Sequence, residues 1–164
     1  LVLYFAVRLE SKGGGFYKQL RVGRGGTDFY VYKFRSMRIG ADKQGLITVG
    51  GRDPRITQVG YFIRKYKLDE LPQLFNVLKG DMSIVGTRPP TLDEWNKYEL
   101  HHRARLAIKP GITGMWQVSG RSEITDFEEV VKLDTGYISE WNVGMDIKLL
   151  WKTVVSVIRR DGSM

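Results

Sequence analysis

Hydrophobic and polar residues alternate along this chain in several distinct rhythms, and each predicts an element. Residues 1–7 are wholly apolar, and the pattern stops at Ser11-Lys12-Gly13-Gly14-Gly15, through which a helix does not continue cheaply. Residues 16–22 and 29–34 are rich in aromatic and β-branched side chains and flank Gly23-Arg24-Gly25-Gly26, the pattern of a β-hairpin with a short loop. Residues 35–52 are Gly-rich and polar, which reads as a loop.

Helical spacing follows. Residues 56–66 predict a short helix, and a second begins near Asp69, with Leu71, Leu74, Phe75 and Leu78 at i, i+3, i+4 and i+7. Asp69 can cap that helix. Pro72 is tolerated in its first turn, where the missing amide has no intrahelical partner, and Gly80 stops it. Thr91-Leu92-Asp93-Glu94 has the form of a capping box and predicts a helix over 92–106; Thr125-Asp126-Phe127-Glu128 repeats it before a helix reaching about residue 137. Between them, Lys109-Pro110-Gly111-Ile112-Thr113-Gly114 reads as a turn and Ser119-Gly120-Arg121-Ser122 as a loop. Both set cations beside glycines, an arrangement that lets backbone amides and a guanidinium approach one anion.

The last segment, 146–160, puts Ile147, Leu150, Trp151, Val154 and Ile158 on one face, with Lys148, Lys152, Arg159 and Arg160 off or beyond it. Packing on the protein's own core is the commoner use of such a stripe; a membrane interface is the other. Together these elements predict an α+β fold, mainly helical, with one small hairpin and several amphipathic helices.

Composition narrows the partners. A chain of 164 residues suits one domain, and 26 Lys plus Arg against 18 Asp plus Glu give a net charge of +8, so anionic partners are expected. Cysteine is absent and the two histidines are adjacent, at His101 and His102. Disulfides, thiolate catalysis and Cys- or His-rich metal sites are therefore set aside, and a metal here would be hard and oxygen-ligated, magnesium or manganese first. No run approaches the about 18 to 20 apolar residues of a membrane-spanning helix, and no secretory signal is present.

Against this basic background, Asp69-Glu70 stands out. The plain reading is a helix start: a capping Asp, a Glu at the positive end of the dipole and a Pro in the first turn. The functional reading is a phosphate-handling site, with Arg64, Lys65 and Lys67 just before it and Arg88 soon after. Like charges about 4 Å apart repel by roughly 4 kcal/mol at a surface-like dielectric, so a carboxylate pair facing a diphosphate calls for a divalent cation between them. Gly86-Thr87-Arg88-Pro89-Pro90 holds an arginine in a stiff segment, either a solvated helix entry or a clamp whose rigid fork fits phosphate oxygens. Lys33-Phe34-Arg35-Ser36-Met37-Arg38 and Arg121 add cations, although a charge-rich strand end is usually a solvated edge. His101-His102-Arg103-Ala104-Arg105 reads as an exposed basic helix face, its histidines without an orienting acid, and no Walker loop, Gly-x-Gly-x-x-Gly or His-Glu-x-x-His is present.

Six blocks then carry a resemblance. Tyr32-Lys33-Phe34-Arg35-Ser36-Met37, Asp53-Pro54-Arg55-Ile56-Thr57, Leu68-Asp69-Glu70-Leu71-Pro72-Gln73-Leu74, Lys79-Gly80-Asp81-Met82-Ser83, Lys109-Pro110-Gly111-Ile112-Thr113-Gly114 and Gln117-Val118-Ser119-Gly120-Arg121 occur in the order of the signature blocks of bacterial sugar transferases. The chain resembles that family of polyprenyl-phosphate phosphoglycosyl transferases, in particular its Gram-positive capsule and exopolysaccharide-initiating subgroup.

The resemblance implies transfer of a sugar 1-phosphate, glucose 1-phosphate by the subgroup, from a UDP-sugar to undecaprenyl phosphate at the cytoplasmic face of the membrane, with release of UMP and a requirement for Mg2+. It implies Asp69 as the nucleophile that forms an aspartyl-phosphate-sugar intermediate, and Glu70, with Asp69, as metal ligand. Arg88 and Arg121 would grip phosphates, Asp146 matches a family aspartate needed for activity, and Lys33 and Arg64 fall at further cationic positions. Residues 1–10 would be the tail of a membrane-embedded helix and 11–164 the membrane-associated catalytic domain; homo-oligomerisation stays open.

There are departures from the family pattern. Thr87 stands where Pro usually precedes the clamp arginine, and Gly13-Gly14-Gly15 lacks a usual Pro. Two rivals remain. A nucleic-acid-binding module would gather cations on one face with stacking aromatics between them, whereas here they surround glycine loops and a carboxylate pair that would repel such a backbone. An inactive membrane-surface scaffold would use residues 146–160 alone.

Overall fold

The computed structural model describes residues 1–41, 53–120 and 124–159. The chain is α+β, with two small sheets among helices, and it divides into two compact units. The expected hairpin forms as β1 (Phe16–Val22) and β2 (Asp28–Phe34), and Gly25 and Gly26 adopt positive φ in the loop between them, as glycine does most readily.

One unit comprises residues 1–18 and 32–72, with α1 (Val2–Glu10) and α2 (Gln58–Lys65). Polar side chains fasten these helices at their ends. Glu10 accepts the amides of Gln58 and Val59 (2.5 and 2.8 Å), and Thr57 accepts that of Gly60 (2.9 Å), so three otherwise orphaned donors of α2 are satisfied. Arg35 is buried and donates to the carbonyls of Ser11 and Lys12 (2.7 and 2.6 Å) just past α1, a structural cap rather than the solvated cation expected from sequence. Asp53 and Arg55 form an ion pair at 2.6 Å, and Met37 bridges Ile56. Most of the expected loop over 35–52 lies outside the described residues.

Among the described residues, the other unit comprises 19–31, 73–120 and 124–159. It contains α3 (Gln73–Lys79), β3 (Ser83–Val85), α4 (Leu92–Trp95), β4 (Gly111–Thr113), α5 (Met115–Val118), α6 (Phe127–Ser139) and α7 (Val143–Arg159). The β3–β4 pair is parallel, with Ser83 opposite Gly111 and Val85 opposite Thr113. Sequence predicted a turn there. The glycines serve close backbone approach: a Cβ on Gly111 would lie 2.1 Å from the nitrogen of Gly86. The amides of Gly86 and Gly111 are already bonded to the carbonyls of Thr113 and Thr87 (both 2.9 Å), so they are not free to cradle an anion. Around this pair pack Val85, Tyr137 and Leu149, with Ile108, Met115, Val118, Ile138 and Met145 against them.

Three helices differ from expectation in instructive ways. In α3 the polar side chains of Gln73 and Asn76 are buried, while Leu74, Phe75 and Leu78 are exposed. The side-chain amide of Asn76 offsets that burial by donating to the Tyr30 carbonyl (2.7 Å), and the Asn76 backbone carbonyl accepts from the amides of Asp81 and Met82 (3.0 and 3.2 Å). In α7 only Leu149 is fully buried, and Thr153 meets Thr113 at 2.7 Å; Ile147, Trp151, Val154 and Ile158 are all more than half exposed, so the apolar stripe does not pack on the core.

The single helix predicted over 92–106 is broken. The Thr91 capping box is present, but α4 lasts four residues and a separate 3-10 turn covers His101–Leu106. The amide of Glu99, which a continuous helix would give to Trp95, instead donates to Nδ1 of His102 (3.0 Å). The cap of α6 is Asp126, which accepts from Glu128 (3.0 Å), rather than Thr125.

Candidate active site

Asp69 lies inside a 3-10 turn, Leu68–Glu70, and not at a helix N-cap. Pro72 explains the change. A continuous α-helix would need an amide at position 72 to bond the Leu68 carbonyl; proline has none, and the Leu71 amide takes that carbonyl at i to i+3 spacing (3.2 Å). The α-helix resumes only at Gln73. The turn is entered through Lys67 at φ 53, ψ 21, the one left-handed non-glycine among the described residues. A side chain in that region costs about 1 kcal/mol, and such strain concentrates where local geometry is held for a purpose.

The same unit supplies the electrostatics. Burial, then the neighbouring charge of Glu70, push the Asp69 carboxyl up to about 6, and Lys33 and Arg64 pull it back. Lys33, near the end of β2, donates to Glu70 Oε1 at 2.8 Å, with both side chains about one-fifth exposed. The structure thus brings together four of the predicted residues, Asp69, Glu70, Lys33 and Arg64. Lys33 is a partner of the carboxylate pair rather than an uncommitted phosphate cation. Two adjacent carboxylates with hard oxygen donors, one of them uncomfortable as an anion, fit a magnesium ion, which typically takes one or two carboxylates and completes its shell with substrate oxygens and water.

Arg88 and Asp146 belong to the other unit. Arg88 is the one half-buried position in the otherwise buried run from Val85 to Pro90, and it has no hydrogen-bond or ion-pair partner among the described residues. Asp146, in the first turn of α7, accepts from Tyr137 Oη (2.6 Å) and Trp141 Nε1 (3.1 Å), joining α6 to the start of α7. Arg121 lies outside the described residues.

The histidine pair was misread from sequence. His102 is buried and finds its acid in Glu128 (2.6 Å), which His101 also meets at 3.1 Å. Although these three side chains could gather around a metal, Nδ1 of His102 already accepts the Glu99 amide, so in the neutral ring Nε2 carries the proton that Glu128 receives. That tautomer offers no lone pair toward the cluster.

Comparison with known proteins settles the family. The model of the bacterial sugar transferases matches residues 1–160. The chain belongs to this family. It is 51% identical to the galactosyl transferase CpsE of Streptococcus agalactiae serotype III, over 99% of this chain and 39% of that protein. It is 41% identical to the UDP-glucose:undecaprenyl-phosphate glucose-1-phosphate transferase of Xanthomonas campestris pv. campestris, over 96% of this chain and 34% of the relative. It is 35% identical to the exopolysaccharide production protein ExoY of Rhizobium meliloti, over 99% of this chain and 78% of ExoY. The chain thus spans under two-fifths of the first two relatives.

Sequence reasoning missed the network that joins Arg105, Asp134 and Tyr98. Arg105 is buried and paired through Nε and Nη2 with Asp134 (both 2.7 Å), and its Nη1 donates to the Tyr98 hydroxyl. Burial pushes the Asp134 carboxyl up while Arg105 opposes, and burial raises the Tyr98 hydroxyl to about 12. The signal was an arginine at the end of a supposed basic face, without any mark that its partner lay in α6.

Proposed function

We propose that the chain is the catalytic part of a phosphoglycosyl transferase that moves a hexose 1-phosphate from a UDP-hexose to polyprenyl phosphate, undecaprenyl phosphate in bacterial membranes. The observation that carries this reading is Asp69: a half-buried carboxylate in a strained turn, beside a Glu70–Lys33 pair, in a chain that the sugar transferase family model matches over residues 1–160.

An oxygen of ionised Asp69 attacks the phosphorus bonded to the sugar, and the bond to the bridging oxygen breaks so that UMP leaves. The acyl phosphate that remains carries the sugar. A phosphate oxygen of the polyprenyl acceptor then attacks the same phosphorus, the bond to Asp69 breaks, and the carboxylate returns with a polyprenyl diphosphate sugar formed. Covalent catalysis here divides one displacement into two, each dominated by positioning and charge neutralisation. Glu70 and Asp69 would hold Mg2+, which when bound neutralises phosphate charge. Lys33 holds Glu70 in place, Arg64 tempers the charge at Asp69, and Arg88 and Arg121 grip phosphate oxygens with a rigid fork. Asp146 braces the α6 to α7 junction through Tyr137 and Trp141.

The names of these relatives include both a galactosyl and a glucose-1-phosphate transferase, while the subgroup resemblance favours UDP-glucose as donor. The exposed apolar stripe of α7, flanked by Lys148, Lys152 and Arg159, supports attachment to the cytoplasmic membrane surface. Incubation with UDP-glucose or UDP-galactose and magnesium tests the reading. Intact-mass analysis is expected to show a hexose-phosphate adduct with stoichiometric UMP release, and none with Asp69→Asn. Undiminished adduct on the Asn variant would remove Asp69 as nucleophile.

A further inference from the structure

Arg88 is held from both sides by bonds that leave its own side chain alone. Before it, the Thr87 hydroxyl, 1% exposed, donates to the Arg105 carbonyl at 2.8 Å, and the Thr87 carbonyl accepts from Gly111 (2.9 Å). After it, the Pro89 carbonyl accepts from Nη1 of Arg21 (2.9 Å) and the Pro90 carbonyl from the Val22 amide (3.0 Å). Both anchors are themselves fixed. Arg105 is tied to Asp134, and Arg21, 7% exposed, donates to Gln19 (2.8 Å) and lies 3.7 Å from Glu94.

Pro89 and Pro90 restrict Arg88 and the chain after it, but they leave Thr87, on its other side, unrestricted. Preceding Arg88, where the family usually has another proline, this chain has threonine, and a hydroxyl bond to a buried carbonyl fixes the backbone in place of a ring. Thr87 is buried for a bond that no core residue of its size requires, since valine would fill the same volume.

We propose that Thr87 and Arg21 are positioning residues that aim the Arg88 guanidinium at the phosphates of the donor. This deepens the assignment of Arg88 as a phosphate clamp and rests on it. An arginine fork discriminates by angle as well as charge, so a small rotation of its backbone loses a bidentate grip that a merely flexible cation would keep.

The test is a double-mutant cycle on the donor half-reaction, measured as UMP release and Asp69 adduct formation, with Thr87→Val, Thr87→Ser, Arg88→Lys and the Thr87→Val/Arg88→Lys pair. Thr87→Val is expected to lower kcat/KM for the donor by about ten-fold or more, in keeping with the cost of a small misplacement. Thr87→Ser, which keeps the hydroxyl, recovers most of it. In the Arg88→Lys background, where no fork remains to be aimed, Thr87→Val costs less than about two-fold. Equal losses in both backgrounds, or full activity of Thr87→Val, overturn the proposal while leaving the clamp intact. Unchanged kinetics of Arg88→Lys and Arg88→Ala alone remove the clamp itself, and the proposal with it. If Thr87→Val does not fold, Arg21→Met enters the same cycle under the same criteria.

Discussion

Lys33 Nζ lies 2.8 Å from Glu70 Oε1, and Lys33 also lowers the pKa of Asp69, the residue beside that glutamate. One cation therefore serves both carboxylates. Replacing it by methionine keeps the aliphatic stem and removes the charge. The pH at which Asp69 becomes reactive is expected to move upward in Lys33→Met, and the pH dependence of adduct formation measures the shift. An acidic limb unmoved by the substitution would show that Lys33 acts on Glu70 alone.

Asp69 itself sets the position of that limb. With its pKa raised to about 6, the rate of adduct formation should climb through pH 6 and level off above it. The stability effect has the opposite sense. Because the folded carboxyl holds its proton more tightly than the unfolded one, between pH about 4 and 6 the native state loses stability as pH rises, and the whole penalty is present above 6. Asp69→Asn should therefore melt a few degrees higher at pH 7.5, roughly 1 kcal/mol after solvent screening, with no gain near pH 3.5. Differential scanning at the two pH values reads the difference.

The Arg105–Asp134 pair is buried on both sides, at 4% and 2% exposure. Asp134→Ala strands the guanidinium among Tyr98 and Phe127, and a loss of about 3–5 kcal/mol is expected in denaturant unfolding. Arg105→Met with Asp134→Leu should regain much of it, because apolar replacement removes both charges from the interior.

The two faces of α7 separate packing from surface binding. Leu149→Ala, at a fully buried site, should cost about 2–5 kcal/mol of stability. Ile147→Glu with Trp151→Glu, at exposed sites, should leave the melting temperature nearly unchanged and abolish sedimentation with vesicles containing anionic lipid. Undiminished sedimentation would exclude this stripe as the membrane contact.

Much of this was legible in the residues. Aromatic and β-branched runs around Gly23-Arg24-Gly25-Gly26 announced the hairpin, and Thr91 announced its capping box. The Asp69-Glu70 pair was conspicuous by charge. What periodicity did not disclose is direction: the stripes of α3 and α7 have helical spacing, yet the residues that turn inward are Gln73, Asn76 and Leu149. Nor could three-residue strands such as Ser83–Val85 declare themselves, since alternation needs more positions to be seen. Long-range polar pairs, Thr87 with Arg105 and His102 with Glu128, leave no local mark because each partner is chosen by the fold rather than by its neighbours.

The parallel pairing of Ser83–Val85 with Gly111–Thr113 also bears on how the chain acquires its structure. On a ribosome β3 emerges while its partner is still unmade, and loop closure between such distant segments must precede any gain from their ladder. Thr153, which meets Thr113, arrives later still. The second unit is thus a late folder during synthesis, and nascent chains halted between residues 86 and 110 should remain open to proteolysis across β3 until translation resumes.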